Sequence, residues 1–237
     1  MLGIIGAMDL EIEPLKSALK DPQAHQIGYT RYFTGELKGV PVCLARCGIG
    51  KVHAALCALG MILRFPVDAV LNIGVAGALR DTLGIADLVI ADSAVQHDMD
   101  TTPIGDPLGL ISGPNIVYMP CDGDLSALLV RAAQDTGLRA ERAAVATGDQ
   151  FIATLEKKDF LADTFGAAAC DMEGGAIAQC CFEMNVSYAA VRAISDTRLG
   201  DGREYAEKAG EACRAEARLL RRFLELYAAN KEENSRG

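Results

Sequence analysis

Ala69-Val70-Leu71-Asn72-Ile73 runs straight into Gly74-Val75-Ala76-Gly77. A short apolar run without alternation, closed by a glycine turn, reads as a strand buried on both faces. Leu2-Gly3-Ile4-Ile5-Gly6 has the same form. Working outward, strands are expected at 31–36 and 40–45, paired about Lys38-Gly39, and at 87–91, 143–147, 167–171 and 188–194. A helix is expected to start near Asp9, with Leu10, Leu15 and Leu19 as core contacts, and another to open at Gly48-Ile49-Gly50 and run through Leu63. Further helices are expected over 124–136, 174–184 and 203–227. Helices alternating with apolar strands require a sheet covered on both faces, so the fold class is α/β. Neither a linker nor a repeat interrupts this pattern, which gives one domain over residues 1–229 and a polar tail, 230–237, expected to be disordered. The proline- and glycine-rich segment 101–114 reads as an irregular loop long enough to be functional.

The net charge of −9 argues against nucleic acid or an anionic membrane surface as a partner, since both demand clustered Lys and Arg. No basic segment precedes an apolar stretch at the N-terminus and no apolar run is long enough to span a bilayer, so the chain is read as cytoplasmic. The eight cysteines form no CxxC pair and the three histidines give little support for a metal site. Cys43, Cys47, Cys57, Cys180 and Cys181 stand in apolar stretches, where free cysteine serves as a small hydrophobe. Neither metal nor cofactor is expected.

In open α/β sheets ligands gather where strands end. Three acids stand at such ends: Glu11 after the first strand, Glu173 after Asp171, and Asp196 after Ile194-Ser195. Each also has a structural reading, Glu11 and Glu173 as first-turn helix carboxylates and Asp196 as a cap or Asx-turn. His97-Asp98 and Asp100 read as a polar turn, and Lys51 as a helix start without the full phosphate-loop spacing. Arg214, Arg218, Arg221 and Arg222, interleaved with Glu211, Glu216 and Glu225, read as a solvated helix face.

Gly3-Ile4-Ile5-Gly6-Ala7-Met8-Asp9-Leu10-Glu11 resembles the opening of the 5′-methylthioadenosine/S-adenosylhomocysteine nucleosidases. The likeness continues in register through Cys47-Gly48-Ile49-Gly50-Lys51-Val52, Asn72-Ile73-Gly74-Val75-Ala76-Gly77, His97-Asp98-Met99-Asp100, Thr147-Gly148-Asp149-Gln150-Phe151-Ile152, Asp171-Met172-Glu173 and Val191-Arg192-Ala193-Ile194-Ser195-Asp196. The resemblance implies a three-layer αβα sandwich with a mixed, partly barrel-like central sheet, related to the purine nucleoside phosphorylases. It implies hydrolysis of the N-glycosidic bond, with adenine and a 5′-thio-substituted ribose as products. Glu11 would activate the water and Asp196 would protonate the purine at N7. Met172 and Glu173 match ribose contacts, Phe151 and Ile152 the purine pocket, and Ser195 and Arg192 supporting positions. A homodimer is implied, with loop 101–114 near the neighbour's site.

Water or phosphate as nucleophile must be argued from the site. Phosphate needs fixed cations, and in the related phosphorylases the glycine turn carries an arginine and a serine where this chain has Asn72 and Val75. Hydrolysis is therefore expected. Val75 also replaces a serine common among the nucleosidases, at the loss of a hydrogen bond worth about 0.5–1.5 kcal/mol. Asp171 and Gly174-Gly175 stand where Glu and Ala-Thr are commoner. A futalosine-type nucleosidase, a phosphate-dependent purine nucleoside phosphorylase and a non-catalytic nucleoside-binding protein are the alternatives.

Overall fold

Leu2 and Ile4 face one side of the first strand and Ile5 the other, and all are buried, as a run without alternation requires. The computed structural model describes residues 1–234. The chain opens with β1 (Leu2–Gly6), α1 (Asp9–Lys16), β2 (Lys20–Ile27), β3 (Thr30–Leu37) and β4 (Val40–Arg46). There follow α2 (Lys51–Arg64), β5 (Ala69–Asn72), β6 (Val75–Ala78), β7 (Leu88–Gln96), β8 (Tyr118–Pro120) and α3 (Gly123–Thr136). The remainder is β9 (Ala140–Thr147), α4 (Leu155–Phe165), β10 (Ala169–Asp171), α5 (Gly174–Glu183), β11 (Ser187–Asp196) and α6 (Gly202–Asn234).

The strands form a mixed sheet in the order β2-β3-β4-β1-β5-β11-β6-β10-β9-β7-β8. β11 also pairs antiparallel with β7 through Val191–Ala193, which closes β11, β6, β10, β9 and β7 into a ring. Its first half, Ser187–Ala190, runs parallel to β5, and its last residues run parallel to β6 with a bulge between Ile194 and Asp196. One strand thus belongs to both the open sheet and the barrel.

α2 and α5 cover one face, packing Ala54, Cys57, Met61, Ile177 and Cys181 on Ile5, Cys43 and Val70. α1, α3 and α6 cover the other, with Ile12, Leu129, Leu219 and Phe223 on Leu2, Ile4, Leu44 and Leu71. Gly3 is needed for the first contact: a Cβ there would lie 2.6 Å from Met61 Sδ. α3 starts on Asp122, whose carboxylate accepts the N–H groups of Asp124 and Leu125 at 3.0 Å, and stops on left-handed Gly137. The architecture is the expected three-layer α/β one.

Several details differ from the sequence reading. Gly74-Val75-Ala76-Gly77 is only partly a turn, because Val75 begins β6. Leu10 is exposed and Ile12 fills the core in its place. Glu216 is not on a solvated face: it shares the inward side of α6 with Ala212, Leu219 and Phe223 and is buried. The polar tail begins as helix, since α6 continues to Asn234 with Lys231 paired to Asp68 at 2.9 Å and lying over the Tyr227 ring. The rest of the tail, 235–237, lies outside the described residues. Loop 101–114 is irregular apart from a 3-10 turn, Thr102–Ile104, and a single bridge from Ile111 to Ile116.

Candidate active site

Where β1, β5, β10 and β11 end, a cavity of about 310 Å³ opens, lined by Ala7, Met8, Glu11, Ile49, Val75, Ala76, Gly77, Phe151, Cys170, Asp171, Met172, Glu173, Ser195, Asp196 and Tyr205. Glu11, Glu173 and Asp196, separated widely in sequence, are all buried on its wall. Ile152 lies one step away, in a recess of about 30 Å³ that shares Phe151, Met172 and Asp196 with the cavity. Phe151 is half exposed and meets Tyr205 edge-on at 5.6 Å.

Glu11 both closes the start of its helix and lines the cavity. Its Oε2 accepts the N–H groups of Ala7 and Met8 at 2.7 and 2.9 Å, closing the start of α1. Its Oε1 accepts the N–H of Val75 at 3.1 Å from across the cavity. The site thus uses the backbone of Val75, which any residue there could supply. A Cβ on Gly74 would stand 2.7 Å from Oε1, so this position must be glycine for the carboxylate to approach the turn. Burial raises the Glu11 pKa above the ordinary carboxylate range, opposed by the backbone donors and by the charge of Arg192.

Glu173 precedes α5, and its Oε1 accepts the N–H of Gly50 at 2.8 Å, tying the ribose-contact candidate to the start of α2. That start is itself anchored: Lys51 N–H donates to Asp149 at 2.7 Å and Lys51 Nζ to Asp98 at 2.7 Å, while Asp98 also accepts the Asp149 N–H at 2.9 Å. Lys51 and Asp98 thereby hold structure together, in line with the helix-start reading of the one and the polar-turn reading of the other. Burial first, and then the negative charge of Asp171, push Glu173 up to about 7.

Arg192 does not line the cavity. Its Nε and Nη2 both donate to Asp171 Oδ2, at 2.8 and 2.5 Å, and Nη1 donates to the carbonyls of Asn72 and Val191 at 3.2 and 3.0 Å. Nη2 also reaches the side chain of Asn72, whose Nδ2 donates to the Ile5 carbonyl at 2.9 Å. Asp171 curls back to accept the Gly174 N–H at 3.0 Å, and Thr147 links Asp171 to the Gly175 N–H. A Cβ at Gly174 would come 2.5 Å from Asp171 Oδ2, and one at Gly175 would come 2.8 Å from Gln96 Cγ. The short acid and the two glycines are therefore one packing solution for the floor under Glu173.

Asp196, at the end of β11, accepts Ser195 Oγ at 3.0 Å on Oδ1 and Lys158 Nζ at 3.0 Å on Oδ2. Burial raises its pKa, against the pull of Lys158. Three further groups at the site escaped the sequence reading. Lys158 reaches in from α4, and Glu216 accepts the Gly74 N–H at 2.8 Å from α6. Tyr205 brings its hydroxyl to 3.2 Å from Met8 Sδ. Among the described residues no lysine, arginine or histidine lines the cavity, while Glu11, Asp171, Glu173 and Asp196 all do. Such a wall suits a neutral nucleoside with developing positive charge on its sugar and opposes phosphate.

Residues 1–225 match the Phosphorylase superfamily. A 5′-methylthioadenosine/S-adenosylhomocysteine nucleosidase from Staphylococcus carnosus is 34% identical over 226 residues, covering 94% of this chain and 99% of that protein. The chain belongs to this nucleosidase family. Among solved structures, the Neisseria meningitidis nucleosidase in complex with methylthio-immucillin-A superposes with a TM-score of 0.91 at 31% identity, covering 94% of this chain and 98% of that one. The futalosine hydrolase of Helicobacter pylori superposes with a TM-score of 0.90 at 32% identity, over 94% and 97% of the two chains. Membership in the nucleosidase family agrees with the α/β architecture and with a wall of carboxylates at the strand ends. Among the described residues, no helix is long and apolar enough to cross a membrane.

Proposed function

We propose that the chain hydrolyses the N-glycosidic bond of 5′-methylthioadenosine and S-adenosylhomocysteine, releasing adenine and the 5′-thio-substituted ribose. The observation that carries this is the cavity itself: carboxylates from several strand ends converge there, with no Lys, Arg or His among the described residues that line it to hold a phosphate nucleophile.

In this reading Glu11, ionised and fixed by backbone donors, takes a proton from a water that attacks C1′. The C1′–N9 bond breaks with its electron pair moving into the purine, and Asp196 gives a proton to N7, so adenine leaves neutral. Glu173 holds the ribose hydroxyls, with Met172 beside it. Phe151 and Ile152 bound the purine end, while Ser195 steadies Asp196. Val75 presents its N–H to the base, and Arg192 acts from behind through Asp171. Protonation of the leaving group and deprotonation of water each contribute about 10²- to 10⁴-fold. Adenine release from 5′-methylthioadenosine, measured with and without phosphate, tests the reading. Equal release with free methylthioribose as product supports hydrolysis, and release only with phosphate overturns it. The similarity to a futalosine hydrolase makes futalosine the second substrate for the same assay.

The same reading includes a cytoplasmic homodimer. All eight cysteines are unpaired thiols, in keeping with a reducing compartment. Val52, Leu56 and Leu63 are exposed along one side of α2, beside a hollow of about 570 Å³ between α2 and α5. An uncovered apolar stripe of this kind suits a second copy, which would carry loop 101–114 and its exposed Ile104 toward the neighbour's cavity. Light scattering tests it: a mass near 50 kDa, twice the 25.1 kDa of the chain, is expected, and a monomer would refute the dimer.

A further inference from the structure

Lys158 is the largest departure from what the sequence suggests about the site. It stands in the polar run Glu156-Lys157-Lys158-Asp159, yet its side chain is 0% exposed. Its Nζ directs three hydrogen bonds to one corner of the cavity: Asp196 Oδ2 at 3.0 Å, the Thr197 carbonyl at 2.8 Å and the Gly200 carbonyl at 3.0 Å. The partner is the side chain assigned above as general acid, itself 3% exposed.

Burying an ammonium group is costly unless it is fully paired, and a surface helix such as α4 has no need of one for its own stability. The arrangement answers a difficulty in the chemistry. Burial raises the affinity of Asp196 for its proton, and an acid that holds its proton too firmly is a poor donor. The other groups around Asp196 bring no positive charge against this: Glu204 of α6 is a like charge, tied to Thr197, Cys170 of β10 is not a cation, and Ser195 on its own strand opposes it through one neutral hydrogen bond at 3.0 Å. Arg192 of the same strand is committed to Asp171. Lys158 is the cation that faces Asp196 directly.

We propose that Lys158 is a positioning residue for the general acid: by holding Oδ2 of Asp196 it fixes the carboxyl group and sets the pH above which turnover fails for want of a proton. The inference rests on the reading of Asp196 as that acid. An opposite charge at this range lowers a carboxyl pKa by about 1–3 units, so removing it extends acid catalysis to higher pH while loosening the group. Lys158 also joins α4 to the turn after β11 through two carbonyls, so a purely structural role must be distinguished.

The test is the pH profile of kcat for Lys158→Met, Lys158→Gln and Lys158→Arg on 5′-methylthioadenosine, with thermal unfolding on the same samples. Gln keeps a donor for the two carbonyls and secures a folded neutral variant. Both neutral variants are expected to lower kcat and to move the alkaline limb upward by about one unit or more, while Arg leaves the limb in place. A neutral variant whose kcat falls equally at every pH, with the limb unmoved, overturns the inference and leaves Lys158 a structural tie. Asp196→Asn is measured beside them: if it keeps wild-type turnover, the assignment of the acid itself fails, a result distinct from an unmoved limb in an enzyme that needs Asp196.

Discussion

Glu216 and Glu11 accept hydrogen bonds from successive peptide N–H groups of one turn, Glu216 from Gly74 at 2.8 Å and Glu11 from Val75 at 3.1 Å. Two carboxyl groups from opposite ends of the chain thereby clasp the same short piece of backbone. Each raises the proton affinity of its neighbourhood: burial pushes Glu216 well above the ordinary glutamate value, and the charge of Glu11 adds to it.

This clasp makes stability depend on pH in a definite direction. Below the unfolded value of 4.5 both states hold the Glu216 proton and its contribution to stability is complete. As the pH rises, the unfolded chain ionises freely while the folded one resists, so stability is lost toward and through the folded value. Glu216→Gln removes the cost and keeps the acceptor for Gly74. Its melting temperature at pH 8 is expected to exceed wild type by at least about 2 °C, with the difference vanishing near pH 4. Differential scanning calorimetry across that range checks it, and parallel curves would show that Glu216 ionises at its ordinary value.

Glu11→Gln should lower kcat by at least about 10²-fold while a non-hydrolysable substrate analogue still binds. The amide cannot take a proton from water. It also turns an NH₂ toward one of the backbone donors now served by Oε1 and Oε2, so a stability loss of about 1–3 kcal/mol should accompany the effect. Steady-state kinetics beside a binding titration separates the two; near wild-type kcat would remove Glu11 from the chemistry.

Asp196→Asn should cost at least about 10²-fold in kcat by removing the proton donor. The loss should shrink for a nucleoside whose base leaves without protonation. Comparing 5′-methylthioadenosine with such a substrate gives the answer, and an equal loss on both would point to binding in place of acid catalysis.

Gly174→Ala tests the packing under Glu173. With a Cβ 2.5 Å from Asp171 Oδ2 and 3.1 Å from Arg192 Nη2, the ion pair must shift, at about 1–3 kcal/mol. Chemical denaturation should show the drop, and a neutral result would mean that Asp171 has room to retreat.

Much of this was open to reading in the sequence. The apolar runs of β1, β5 and β11 announced a doubly covered sheet, and the helices after them carried regular apolar spacing. The strands that escaped had physical reasons to do so. β2 is exposed nearly throughout and is broken by a register shift about Asp21-Pro22, and β8 is three residues long. α4 is largely polar, burying little more than Lys158, Leu161 and Phe165. At the site, the acids at strand ends stood out because a strand end is a marked place. Lys158 and Glu216 did not, since each lies in a run of mixed charges where nothing local tells which one turns inward. Their partners are 38 and 142 positions away, and only the tertiary fold selects them.

β11, which belongs at once to open sheet and ring, has a consequence for how the molecule breathes. It is bonded to β5 over its first half, to β7 at Val191–Ala193 and to β6 at its end, so freeing the whole strand means parting sheet and barrel together. Ser195 and Asp196 thus ride on a strand tied to both, whereas Phe151 and Ile49 lie outside the strands and helices. A movement of those two side chains can widen the cavity without disturbing the strand that carries Asp196.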